Sequence, residues 1–285
     1  MARHHLLTTS RIFIVAGKGG VGKSTVAGAL ALVAARSGMP TVLVGLGPEA
    51  HHVPAHDLLA TVAVSPGKAL ADYLASRGLG VVSRQLAQSG IVELVASTAP
   101  GIDDLLVLGK IKSLAKEKPD HVIIVDGPAA GHALDMLRSP AELRRAVGGG
   151  PIRQQADDVL AMLADPSMSR LLLVTTPAIT PVHETIEAAR EVQDDVRADI
   201  ACTVVNMCDD SPPPVAVDEL PPRLRAVWEY ASARAAAQET ARRLLDESLH
   251  VPQIWTSRHR RAGADLVAAV ADDIEAGLLS LDGQR

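Results

Sequence analysis

Nine residues between a short apolar run and a helix-forming run carry the clearest chemistry in this sequence. Residues 17–25 read GKGGVGKST and match the spacing G-x-x-x-x-G-K-[ST], with Gly17, Gly22, Lys23 and Ser24 at the fixed positions. Glycines at this spacing let the backbone turn successive N–H groups inward around a phosphate. The following helix adds the positive end of its dipole, and Lys23 neutralises the β and γ oxygens. Ser24 is expected to place its hydroxyl on Mg²⁺, and Thr25 to donate to a nearer phosphate. Gly19, Gly20, Val21, Gly22, Lys23, Ser24 and Thr25 are therefore the expected nucleotide-binding residues. A second feature fits the same chemistry: the strand 121–125, apolar after His121, ends in Asp126, a carboxylate at a strand terminus that can hold Mg²⁺ through water. Ser24 and Asp126 form the expected metal pair, with ATP or ADP and Mg²⁺ as the cofactors.

The elements that must position these residues alternate along the chain. Residues 11–17 read as a buried strand running into the glycine cluster, and 24–36 as a helix stopped by Gly38-Met39-Pro40. Further strands are expected at 41–44, 91–95, 121–125, 170–175, 200–206 and 251–255. Helices are expected at 69–77, 101–117, from 132, at 151–163, 181–196, 223–249 and 262–279. The stretch 45–66 reads mostly as loop. Pro212-Pro213-Pro214 and Pro221-Pro222 mark a surface loop. Strand–helix alternation predicts an α/β fold with a doubly wound, mostly parallel sheet, whose ligand crevice lies at the carboxyl ends of the strands. The reading is of one domain over 1–285, with small helical subdomain contributions from 66–118 and 138–168.

Composition narrows the partners. Hydrophobic residues make up 47% of the chain and aromatics 2%, so the core must be aliphatic, as suits a parallel sheet under helices. A net charge of −5 gives no broad attraction to nucleic acid or to an anionic membrane. No apolar run reaches the length of a spanning helix, so no membrane insertion is expected, and Asp265, Asp272, Asp273 and Glu275 make the last helix acidic, which disfavours a lipid-binding tail. The two cysteines, Cys202 and Cys208, have no framework spacing, and the expected location is cytoplasmic. His51, His52 and His56 have no metal-ligand spacing and read as a solvated loop. Arg258, His259, Arg260 and Arg261 are open to two readings, a contact to nucleotide or charges fanned into solvent.

Lys18, directly after Gly17, gives the loop the form called the deviant Walker A, and the chain resembles the family of dimeric ATPases that carries it. Within that family the segment VDGPAAGHALDMLRSP resembles the Asp-x-x-Pro-x-Gly-His segment of ArsA and of the ATPases that guide tail-anchored membrane proteins. Further matches are LLLVTTPAITPVHETIEAAREV with Glu184, VVNMC with Asn206, and VPQIW; the chain looks like a short bacterial ArsA-like ATPase. The resemblance implies that Lys18 reaches a partner's nucleotide across a dimer interface and acts in catalysis with Lys23 and Asp126. It implies that 126–132 is a γ-phosphate switch and that Asn206 reads the adenine edge. It also implies a homodimer, or a heterodimer with an ArsA-like paralogue, and a hydrophobic protein client. Helices 101–117 and 151–163 are the candidate client surface, their apolar faces being equally readable as core.

Departures from the family pattern limit this. Hydrolysing members carry an Asp-Pro pair after the second strand to orient the attacking water, whereas Gly47 stands here, with Glu49, His51 and His52 the nearest substitutes. The expectation is slow or absent hydrolysis by this chain alone, and a second reading follows: a regulatory ATP-binding subunit that lends Lys18 to an active paralogue. Gly127 replaces a larger residue in the switch and is expected to loosen it. The zinc-binding C-x-x-C and the arsenite-binding cysteine trio of relatives are absent.

Overall fold

The structure is a computed structural model and describes residues 4–46, 52–76, 101–128 and 132–283. Among the described residues, seven parallel strands form one sheet in the order β3-β2-β4-β1-β5-β6-β7. In chain order the strands are β1 (Ile12–Ala16), β2 (Thr41–Gly45), β3 (Leu59–Ala63), β4 (Val122–Asp126), β5 (Ser169–Thr175), β6 (Ile200–Cys208) and β7 (Gln253–Ser257). The helices are α1 (His5–Thr8), α2 (Lys23–Arg36), α3 (Pro66–Ser76), α4 (Ile102–Glu117), α5 (His132–Ala146), α6 (Pro151–Ala164), α7 (Ile179–Val196), α8 (Pro222–Ser248) and α9 (Gly263–Gly283). The expected α/β class and parallel sheet are both present.

The strand sequences explain the layers. In β1, Ile12, Ile14 and Ala16 point to one face and Phe13 and Val15 to the other, and all five are buried. A strand covered on both faces reads as a continuous apolar run, as the parallel arrangement requires. On one face α2 and α9 pack Leu30, Val33, Val267, Val270 and Ile274 against Phe13, Val15, Leu43 and Ile124. On the other, α4, α5, α6, α7 and α8 bring Leu108, Leu137, Leu163, Ile186 and Leu245 onto Ile12, Ile14, Val42 and Val125.

Several expectations need correction. The stretch 45–66, read as mostly loop, contains β3, which pairs parallel with β2 from Thr41 opposite Leu59 to Gly45 opposite Ala63. As the sheet edge, β3 leaves all five residues of LATVA partly or fully exposed, which removes the buried apolar run that marks the inner strands. The helix expected from 132 is α5, which continues through Pro140 to Ala146. The expected strand at 91–95 lies outside the described residues. Helices α4 and α6, considered as a client surface, turn their apolar faces inward: Leu105, Leu108, Ile111 and Leu114 of α4 and Val159, Met162 and Leu163 of α6 belong to the core. Their amphipathic pattern reports burial against the sheet and each other.

Helix α8 is different. Over 27 residues it buries only Ala241 and Leu245 fully, both near its end, while Leu224, Val227 and Tyr230 at its start are more than half exposed. The proline-rich segment before it lies alongside, where Trp228 donates its indole N–H to the Pro213 carbonyl at 3.0 Å. Among the described residues no helix is long and apolar enough to cross a membrane.

Candidate nucleotide site

The glycine loop leaves β1, the central strand, and enters α2 at Lys23, so it sits where carboxyl ends of strands meet a helix N-terminus. Two of its glycines are dictated by space. A Cβ on Gly17 would lie 2.3 Å from the Val174 carbonyl oxygen of β5, and one on Gly22 would lie 2.2 Å from Nδ2 of Asn206. Gly22 also adopts φ 90°, a left-handed conformation that favours glycine. Gly22 caps α2 without a side-chain acceptor and the first turn carries no acidic residue. The helix start therefore has no internal anion and suits an external one.

Lys23 is 6% exposed, and its ammonium donates to the Lys18 carbonyl at 2.9 Å, which closes the loop on itself. Burial pushes this lysine below the usual range, and the charge of Asp126 pulls it back up. A dehydrated ammonium with donors to spare is a strong site for an oxyanion. Asp126, at the end of β4, is 7% exposed and lies in register with Val15 of β1 and Gly45 of β2. The sheet thus carries its carboxylate to the wall beside the loop. Ser24 is exposed and Thr25 partly so at the start of α2. A cradle too tight for side chains, a hydroxyl at the helix start and a carboxylate on the adjacent strand end fit a nucleotide phosphate with Mg²⁺.

Lys18, Gly19 and Gly20 are exposed. The Lys18 ammonium lies 3.6 Å from a carboxylate oxygen of Glu184 on α7, so this lysine has an acidic partner within the chain. Sequence reasoning named both residues without pairing them. Asn206, expected at the adenine edge, is 3% exposed and engaged at both ends of its amide. Nδ2 donates to the Val21 carbonyl at 2.8 Å, and Oδ1 accepts from Thr256 at 2.7 Å. Thr256, fully buried on β7, carried no sequence signal.

Gly127, expected to loosen the switch, is buried, and its amide donates to the Val15 carbonyl at 3.1 Å, extending the ladder by one rung. Gly47, Glu49, His51 and 129–131 lie outside the described residues. Arg258 forms an ion pair with Asp209 at 2.6 Å and donates to the Met207 carbonyl at 3.2 Å, so its charge is held at the end of β6. Arg234 of α8 pairs with the same carboxylate. His259 pairs with Asp273 at 2.9 Å. His56 accepts the Leu58 amide, and among the described residues no group of three His, Cys, Asp or Glu could hold a metal ion.

Residues 12–213 match the model of the CobQ/CobB/MinD/ParA nucleotide-binding domain. The chain is 33% identical over 214 residues to ATPase BagA of Mycobacterium tuberculosis, covering 65% of this chain and 62% of that protein. It is 26% identical over 228 residues to an arsenical pump-driving ATPase of Halobacterium salinarum, covering 69% and 35%. It is 31% identical over 160 residues to ATPase GET3 of Blastomyces gilchristii, covering 49% and 46%. The chain thus spans less than two thirds of the length of each of these relatives. The domain match, the seven parallel strands of the described residues and the glycine loop at the central strand agree: the chain belongs to the CobQ/CobB/MinD/ParA nucleotide-binding family and is similar to ArsA-like P-loop ATPases.

Proposed function

We propose that this chain binds Mg-ATP on the loop 17–25, dimerises around it, and couples nucleotide state to a partner or client protein in the cytoplasm. The observation that carries the reading is the buried Lys23 ammonium, held in a glycine cradle at an open helix start and facing the charge of Asp126. In this reading Gly19, Gly20, Val21 and Gly22 offer backbone N–H groups to the phosphates, and Lys23 balances their charge. Ser24 and Asp126 would hold Mg²⁺, and Thr25 would donate to a phosphate. Mg²⁺ held there would supply neutralisation of phosphate charge.

Lys18 is the residue proposed to act in trans. Its partner in cis, Glu184, sits in a half-exposed pair of the kind that contributes about 0–1 kcal/mol. A triphosphate in a partner's site competes easily with such a contact, so the pair restrains Lys18 only until a dimer forms. Calorimetric titration with Mg-ATP, in parallel with Lys23→Ala, tests the binding site. Light scattering with and without Mg-ATP tests the dimer. Absence of ATP binding by the purified chain would sink the reading.

Gly47 favours a second reading, in which this chain binds ATP without turning it over and lends Lys18 to an active paralogue. Turnover by the purified chain alone at or above roughly 1 per minute eliminates it.

A further inference from the structure

Asn206 and Thr256 lie on neighbouring strands, one residue beyond the paired Val205 and Trp255. Their hydrogen bonds run in one line: the Thr256 hydroxyl donates to Oδ1 of Asn206 at 2.7 Å, and Nδ2 donates to the Val21 carbonyl at 2.8 Å. A backbone carbonyl can only accept, so Val21 requires the nitrogen end of the amide, and the hydroxyl satisfies the oxygen end. A flipped amide would set two oxygens against each other at Val21. The whole chain is dry, with Thr256 fully buried, Asn206 3% exposed and Val21 4% exposed, so no water replaces a lost partner cheaply.

This matters because of where Val21 sits. A loop that binds phosphate must present N–H groups and turn its carbonyls away, since a carbonyl dipole facing inward repels the anion. The carbonyl of Val21 precedes Gly22, whose φ of 90° leads into α2. Resting on the phosphate-loop reading above, the geometry points to Thr256 as a positioning residue for phosphate binding: through Asn206 it holds the Val21 carbonyl outward and fixes the loop in its anion-accepting form. The glycine at 22 is part of the same device, because any side chain there would displace the amide. The last strand of the sheet thereby acts on a loop more than two hundred residues earlier.

Thr256→Val keeps the shape and β-branching of the side chain and removes only the donor. In the full chain it is expected to weaken Mg-ATP binding about tenfold. Amide hydrogen exchange in the peptide spanning 17–25, measured without nucleotide, is expected to accelerate while β6 and β7 stay protected. Thr256→Ser restores the hydroxyl and is expected to recover both readouts. Asn206→Asp, which sets a carboxylate oxygen against the Val21 carbonyl, accelerates loop exchange by an independent route and serves if Thr256→Val does not fold. Wild-type affinity and wild-type loop exchange in Thr256→Val overturn the proposal, as does failure of Thr256→Ser to recover them. Failure of the wild-type chain to bind Mg-ATP counts against the nucleotide reading instead, and loop exchange still judges the brace.

Discussion

Substituting alanine for Gly22 separates backbone strain from displacement of a buried side chain. At φ 90° an alanine is strained by roughly 1–2 kcal/mol. Its Cβ would also fall 2.2 Å from Nδ2 of Asn206, so the amide must move. That amide is bonded to Val21 and Thr256, and releasing two buried hydrogen bonds costs about 2 kcal/mol together. The sum is on the order of 3–4 kcal/mol, a lowering of Tm by about 6–10 °C for a chain of this size. Gly20→Ala is the internal control. Gly20 has φ 79° but open space around a Cβ, so only the strain applies and Tm should fall by about 2–5 °C. Differential scanning calorimetry gives the stabilities, and Mg-ATP titration of Gly22→Ala should show affinity reduced on the order of a hundredfold. Equal Tm losses for the two variants would refute the reasoning, since the steric contribution would then be absent.

Other expectations follow from the same geometry. Glu184→Gln should leave Mg-ATP-dependent dimerisation intact or stronger, while Lys18→Met should abolish it; light scattering in which both variants behave alike removes the distinction between a cis restraint and a trans contact. Gly47→Asp should raise ATP turnover if that position faces the attacking water, and an unchanged rate in a phosphate-release assay counts against the alignment. Burial pushes the thiols of Cys202 and Cys208 up to about 12, so the thiolate is a minor species below that pH. Iodoacetamide should label neither quickly in the folded protein at pH 8, with labelling of Cys208 rising as pH approaches 12, as mass spectrometry would show. Rapid labelling of Cys202 under native conditions would contradict its burial.

The features legible in the sequence were those encoded locally. The phosphate loop is nine contiguous residues, and its position between an apolar run and a helix is visible without any tertiary information. Asp126 was legible because the four residues before it, Val122 to Val125, are all apolar, the mark of a strand covered on both faces. The edge strand β3 was hidden because half-exposed residues erase that mark. The Asn206 brace was beyond reach for another reason: its partners stand 185 residues before it and 50 after it, and only the strand order brings them together. Lys18 and Glu184 met for the same reason. The apolar faces of α4 and α6 were visible, but periodicity does not tell a core face from a docking face, and packing assigned them to the core.

The long helix α8 joins a covered end to an exposed one. Gln238 clasps the Asp209 backbone, receiving its amide at 2.8 Å and donating to its carbonyl at 2.9 Å, and Arg234 holds the same residue's carboxylate. That clasp is three residues from Asn206, whereas the helix begins sixteen residues before Gln238, about 24 Å away at 1.5 Å per residue. Leu224 and Val227 therefore stand exposed on the same continuous helix that holds Asp209 at the end of β6, which the Trp228 bond to Pro213 ties down again near its start.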